Sequence, residues 1–277
     1  DRLRTRWEMM ARPKKTATPS FRGSEWPSGP NHGMGIRVLP NSPKAGTCER
    51  ISLPWAGARM RDRKIANVPS VATNGAVIFF STDANTANGN DNNTISNNNI
   101  GPAGANLPTK AILGNGSTTT TAIGNSGILI NNNNIFDYFG AAVTSAGIAT
   151  NGGCNGWSIT NNRFYQTGTR TWTTGALHNA INLGPTTATS GAQGFTVTGN
   201  IIGYASNTQT GTYTLTGSTG KFVGIQFNGI TGGVVSNING NTVAAVSLTG
   251  VTSSGTSTSS PMTGILVVNG LANTNNN

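Results

Sequence analysis

Beyond residue 66 the side chains able to move protons or hold ions are few. There are three carboxylates, Asp83, Asp91 and Asp137, four bases, Lys110, Arg163, Arg170 and Lys221, and one imidazole, His178. Cleaving a glycan needs carboxylates that converge on one bond, one as acid and the other as nucleophile or base. Asp91 stands seven residues before Asn98, whereas Asp137 stands four after Asn133, and both asparagines belong to a repeated signature. The two acids are therefore expected on different edges of the repeat, and no catalytic residue is assigned. His178 is expected to lack a Ser, Cys or second His partner, which leaves no basis for a triad or a metal centre. Gly152-Gly153 and Gly232-Gly233 lack the Lys-Ser/Thr that completes a phosphate loop and read as turns. No cofactor and no metal is assigned. Arg163 and Arg170 are expected in solvent on the outer surface, with a sugar-acid or phosphate contact as the alternative.

Two patterns point to binding rather than catalysis. Tyr138, Tyr165 and Tyr204 fall five, three and four residues after Asn133, Asn162 and Asn200. Stacked one coil apart they would offer a platform for carbohydrate rings; a ladder that merely packs is the alternative. Threonines alternate in Thr119/Thr121, Thr169/Thr171/Thr173, Thr210/Thr212/Thr214/Thr216 and Thr256/Thr258. Flat Thr-x-Thr ladders resemble ice-binding faces, but these tracts sit where segment length varies. Hairpin or edge strands account for the alternation as well.

The elements that position these residues come from a repeat. An aliphatic, two variable residues, Asn, one variable residue and a second apolar residue recur as Ile95–Asn98–Ile100, Ile130–Asn133–Ile135, Ile159–Asn162–Phe164, Val197–Asn200–Ile202 and Ile238–Asn241–Val243. Between copies runs a small residue followed by an aliphatic: Ala111-Ile112, Gly147-Ile148, Ala180-Ile181, Gly224-Ile225 and Gly264-Ile265. In a straight strand residues five apart face opposite sides, so both aliphatics reach one core only if the chain bends between them. Asn tolerates the left-handed backbone of such a bend better than other side chains. Asn98, Asn133, Asn162, Asn200 and Asn241 are therefore expected as corner residues stacked in a ladder. Their spacings of 35, 29, 38 and 41 residues exceed a bare coil, which assigns the excess to loops after each corner.

The paired signatures, with clusters such as Thr94-Ile95-Ser96-Asn97-Asn98-Asn99-Ile100 and Ile159-Thr160-Asn161-Asn162-Arg163-Phe164, resemble the right-handed parallel β-helix repeat family. This is the pectate-lyase-like solenoid of bacterial surface and secreted proteins. The resemblance covers roughly Gly75 to Asn277. It implies an all-β fold, a right-handed parallel β-helix of about five to six coils, and an extracellular or cell-surface location. It is specific for fold and poor for activity, because one scaffold carries many functions.

Composition divides the chain. Residues 1–66 hold fourteen of the eighteen Lys and Arg, five of the eight acids and seven of the twelve prolines, so the net charge of +10 belongs almost wholly to that segment. It reads as an irregular basic leader or as non-native sequence, and 67–277 as the repeats, with truncation expected at the C-terminus. The basic residues follow no groove-reading pattern, so no nucleic-acid partner is assigned. No secretory signal or membrane span is visible. Cys48 and Cys154 form no framework, and Cys154 is expected as a lone loop thiol. The reading is a non-catalytic structural or adhesin-like module with an extracellular or cell-surface polysaccharide as its partner. The alternatives are a fragment of a polysaccharide lyase or hydrolase and, third, an ice-binding solenoid.

Overall fold

The computed structural model describes residues 51–52, 59–61, 64–67, 76–81, 89–102, 104–117, 123–184, 192–252 and 260–277. All of them belong to one compact unit, Met34–Asn277. Each lap of the chain gives one strand to each of three sheets. The first sheet stacks Ile51–Ser52, Ile78–Ser81, Lys110–Asn115, Ser145–Thr150, Leu177–Leu183, Lys221–Asn228 and Met262–Asn269. The second runs from Arg59–Arg61 through Thr94–Ser96, Leu129–Asn131, Ser158–Thr160, Thr196–Thr198 and Ser236–Asn239 to Ala272–Asn273. The third runs from Lys64–Asn67 through Asn99–Pro102, Asn134–Phe136, Arg163–Tyr165 and Ile201–Gly203 to Thr242–Ala244. The pairings are parallel and join successive laps, so the chain is a parallel β-helix of about six coils. Among the described residues no helix is long and apolar enough to cross a membrane.

The repeat signature explains the core. Ile95, Ile130, Ile159, Val197 and Ile238 stand in one register column, and Ile100, Ile135, Phe164, Ile202 and Val243 in another. Ile78, Ile112, Ile148, Ile181, Ile225 and Ile265 form the third. The glycine before Ile148 meets the opposite wall. A Cβ on Gly147 would stand 2.7 Å from Cδ1 of Phe164, closer than packed carbons allow.

At the corner between the second and third sheets, Asn98 Nδ2 donates to Asn133 Oδ1 at 3.0 Å and Asn133 Nδ2 to Asn162 Oδ1 at 2.9 Å. Asn162 continues to Asn200 at 3.0 Å, Asn200 to Asn241 at 2.9 Å, and Asn241 to Asn277 at 3.0 Å. Each acceptor oxygen also takes the backbone N–H of the preceding ladder residue. The left-handed residue is not the ladder asparagine but the one before it. Asn97, Asn132 and Asn161 have φ of 59°, 54° and 56°, and Gly199 and Gly240 have 67° and 62°. That single left-handed residue turns the ladder side chain inward, where it satisfies strand carbonyls as well.

Three expectations change. Strands Ile51–Ser52, Arg59–Arg61 and Lys64–Asn67 pair in register with the next coil, so the β-helix starts before residue 67. Met60 and Ile65 keep the five-residue spacing and align with Ile95 and Ile100. Cys154 lies in the strand Cys154–Asn155 and is fully buried, because its sulfur packs where a Cβ on Gly114 would fall. The threonine tracts at 169–173 and 210–216 project no hairpin. Arg170–Thr171, Tyr213–Thr216 and Val246–Thr249 make a fourth, three-stranded parallel sheet within the stack. Its one all-threonine row is Thr171, Thr216 and Thr249. Asp83, Cys48, Thr119, Thr121, Thr256 and Thr258 lie outside the described residues.

Candidate functional site

The two described carboxylates are both committed to structure at different corners. Asp91 Oδ1 accepts the Ser126 N–H at 2.7 Å between the first and second sheets. Asp137 lies between the third and the first, where its Oδ1 accepts the Thr167 N–H at 2.8 Å and its Oδ2 the Thr167 hydroxyl at 2.6 Å. Asp137 also pairs with Arg170, so this arginine is part of an ion pair rather than a solvated side chain.

His178 does have a serine partner. Residues 145 and 178 are opposite one another in adjacent coils, and Ser145 Oγ stands 2.6 Å from His178 Nδ1. His178 Nε2 lies 2.6 Å from the Tyr213 hydroxyl, which donates to Tyr138 Oη at 3.2 Å. With that proton committed, Nε2–H donates to Tyr213 and Nδ1 accepts from Ser145. Gln166 Nε2 donates to the Tyr138 carbonyl at 2.7 Å, and Arg170 Nε donates to Gln166 Oε1 at 2.7 Å. The chain of contacts thus runs from the Asp137–Arg170 pair to Ser145. Burial, aided by the positive Arg170, pushes the His178 pKa down to about 3, so the imidazole is neutral. Burial raises the Tyr138 and Tyr213 phenols as well. Ser145, His178, Tyr138 and Tyr213 have no exposed surface. A serine beside a histidine resembles a nucleophile and its base, but no substrate reaches this hydroxyl. The group braces the corner, with His178 stacked on Tyr138 at 5.3 Å between centroids.

That corner supports a groove. A depression of about 560 Å³ opens over the first sheet, a size suited to small ligands. Ala149, Thr150 and Asn182 floor it, and the segments 142–144 and 174–176 wall it. The same brace holds both walls: Thr167 and Arg170 grip Asp137, and the Thr173 N–H donates to the Ala141 carbonyl at 2.8 Å. Lys110 also lines the groove, its pKa lowered by burial, and no carboxylate does. Asn182 Oδ1 is buried with no hydrogen-bond partner. Asn179 occupies the row of Lys110 and Ala146, is fully buried, and has neither its side-chain nitrogen nor its oxygen paired. Unmet buried amides of this kind are rare in folded proteins.

The three tyrosines do not make a surface platform. Tyr138 points into the core, Tyr165 is 8% exposed, and Tyr204 sits half-buried in a left-handed turn with φ of 63°. Unequal offsets from the corner carry them to different faces. Tyr165 instead stacks on Phe136, with ring centroids 5.2 Å apart and planes 9° from parallel. Both stand three residues after their ladder asparagines, and an equal offset is the signal that finds this pair.

No protein-family model matches the sequence, and no curated protein matches it. Among solved structures the chain is similar to two of the Streptococcus pneumoniae surface protein and adhesin PfbA. One is 14% identical with a TM-score of 0.38, over 77% of this chain and 62% of that one. The other is 16% identical with a TM-score of 0.39, over 70% of this chain and 56% of that one. The chain spans less than two thirds of the adhesin structures it matches.

Proposed function

We propose that this chain is a non-catalytic, adhesin-like β-solenoid module of a bacterial cell-surface or secreted protein, and that it holds extracellular polysaccharide in the groove over the first sheet. The observation that carries the reading is the groove's lining: the Asn151 and Asn182 amides and the Thr144, Thr150 and Thr174 hydroxyls beside Lys110, with no carboxylate among them. Sugars present many hydroxyls, which suit amide and hydroxyl partners of this kind. The described carboxylates support binding over turnover, since both Asp91 and Asp137 are occupied by backbone and side-chain donors at separate corners.

The test is a glycan array probed with the full chain and with Thr174→Trp, which fills the groove from an exposed wall position. Binding of one glycan class by the parent, lost in the variant at unchanged melting temperature, is the expected result. Absence of glycan binding, or depolymerisation of a bound polysaccharide by the full chain, would overturn the reading.

A further inference from the structure

The outer face of the third sheet carries a second arrangement that the groove does not use. Ile135 and Phe164 point into the core with no exposed surface, so their strand neighbours point outward. One outward row holds Asn99, Asn134 and Arg163, and the next holds Gly101, Phe136 and Tyr165. A Cβ on Gly101 would stand 2.7 Å from the Phe136 ring carbons, so the ring lies over that glycine. Tyr165, 8% exposed, stacks against it. Among the described residues Arg163 forms no ion pair, and its Nη1 is enclosed without an acceptor. Asp137, the carboxylate that acts on Tyr165, is already paired with Arg170. The face therefore joins an aromatic slab to an unneutralised guanidinium.

We infer that this face is a binding site for an acidic sugar, its ring lying on Phe136 and its carboxylate held by Arg163. The C–H face of a pyranose is apolar and packs on an aromatic ring, as other apolar surfaces do. A carboxylate matches the guanidinium fork, which accounts for the acidic rather than the neutral class. Arg163 and Tyr165 are two residues apart on one strand, about 6–7 Å, a span that one pyranose and its carboxylate cover. The Tyr165 and Asn134 side chains then meet ring hydroxyls. The site is separate from the groove, so either can fail without the other.

The experiment uses uronic- and sialic-acid-terminated oligosaccharides beside their carboxyl-reduced counterparts, titrated calorimetrically against the full chain. Acidic members are expected to bind at least about tenfold more tightly than the reduced ones, the scale of a charge-assisted contact. Arg163→Gln is expected to abolish that preference. Phe136→Leu keeps an apolar cover over Gly101 and is expected to weaken both classes at unchanged melting temperature. Thr174→Trp is expected to leave the acidic preference intact. No preference for the acidic members, or a preference indifferent to Arg163→Gln, would overturn the inference. Loss with Thr174→Trp alone would return the sugar to the groove.

Discussion

Removing one amide from the middle of the asparagine ladder should cost the protein a large part of its stability. Asn162 makes four side-chain hydrogen bonds. Its Nδ2 donates to the Ile130 carbonyl at 2.9 Å and to Asn200 Oδ1 at 3.0 Å. Its Oδ1 accepts the Asn133 N–H at 2.9 Å and Asn133 Nδ2 at 2.9 Å. In Asn162→Ala the Asn133 Nδ2 group keeps the Ile95 and Asn131 carbonyls, and Asn200 Oδ1 keeps the Asn162 N–H. The Asn133 N–H keeps nothing, and the site has no solvent access. The orphaned buried donor costs about 1–3 kcal/mol and each of the other three lost bonds about 1 kcal/mol, for a total near 4–6 kcal/mol. Typical domains have about 5–15 kcal/mol to lose. Asn162→Leu, closer in volume, should lose nearly as much, because the loss lies in hydrogen bonding and not in the cavity. Asn134→Ala removes one exposed amide contact of 2.8 Å and should cost less than about 1 kcal/mol. Urea titration followed by far-ultraviolet circular dichroism measures all three, with hydrogen exchange of segment 128–136 as the local readout. A loss in Asn162→Ala below about 1 kcal/mol, or no greater than in Asn134→Ala, would refute the reasoning.

Acid should weaken the fold through His178. The unfolded chain takes up the imidazole proton near the ordinary value of 6.5, whereas the folded protein takes it up only near 3. Stability is thus full above 6.5 and falls as pH drops toward 3, by about 1.4 kcal/mol per pH unit. Urea midpoints across that window should fall less steeply in His178→Phe, and an equal slope would sink the assignment. Gly220→Ala should lower the melting temperature, since the new Cβ would stand 2.0 Å from Cδ2 of the buried Trp172; overpacking costs about 1–3 kcal/mol. Gly264→Ala, with no atom within 4 Å of its new Cβ, is the matched control and should be near neutral. Asn161→Gly should be tolerated, because φ is 56° there, while Asn162→Gly should be as damaging as the alanine variant in the same melting assay.

The fold was legible because two aliphatics five apart around an asparagine can share a core only across a bend. The doublets Asn97-Asn98, Asn132-Asn133 and Asn161-Asn162 hid which residue bends, since either asparagine accepts a left-handed backbone. The last two coils resolve it. Gly199-Asn200 and Gly240-Asn241 put glycine first, and only the left-handed position takes glycine without loss of a ladder amide. The first coil was masked by composition. Basic residues surround Met60 and Ile65 in the sequence, although those two positions keep the five-residue spacing and pair in register with Ile95 and Ile100.

The buried brace and the acidic-sugar face were less legible for a shared reason: both depend on register between coils, not on proximity along the chain. Ser145 and His178 each precede a core isoleucine, Ile148 or Ile181, by three residues, so aligning the small-aliphatic signatures places them side by side. Phe136 and Tyr165 share an offset of three from their ladder residues, whereas Tyr138 sits at five and faces the core. In a β-helix, then, a side chain's position relative to its own corner decides its face, and chemistry is found by comparing equal positions across coils. Applied to the row at one residue after the corner, the rule singles out Arg163, where the two preceding coils carry Asn99 and Asn134 and the next Ile201. Lys64 opens the same row, so charge alone does not mark Arg163; among the described residues Arg163 forms no ion pair and its enclosed Nη1 meets no acceptor, which leaves its role to a ligand.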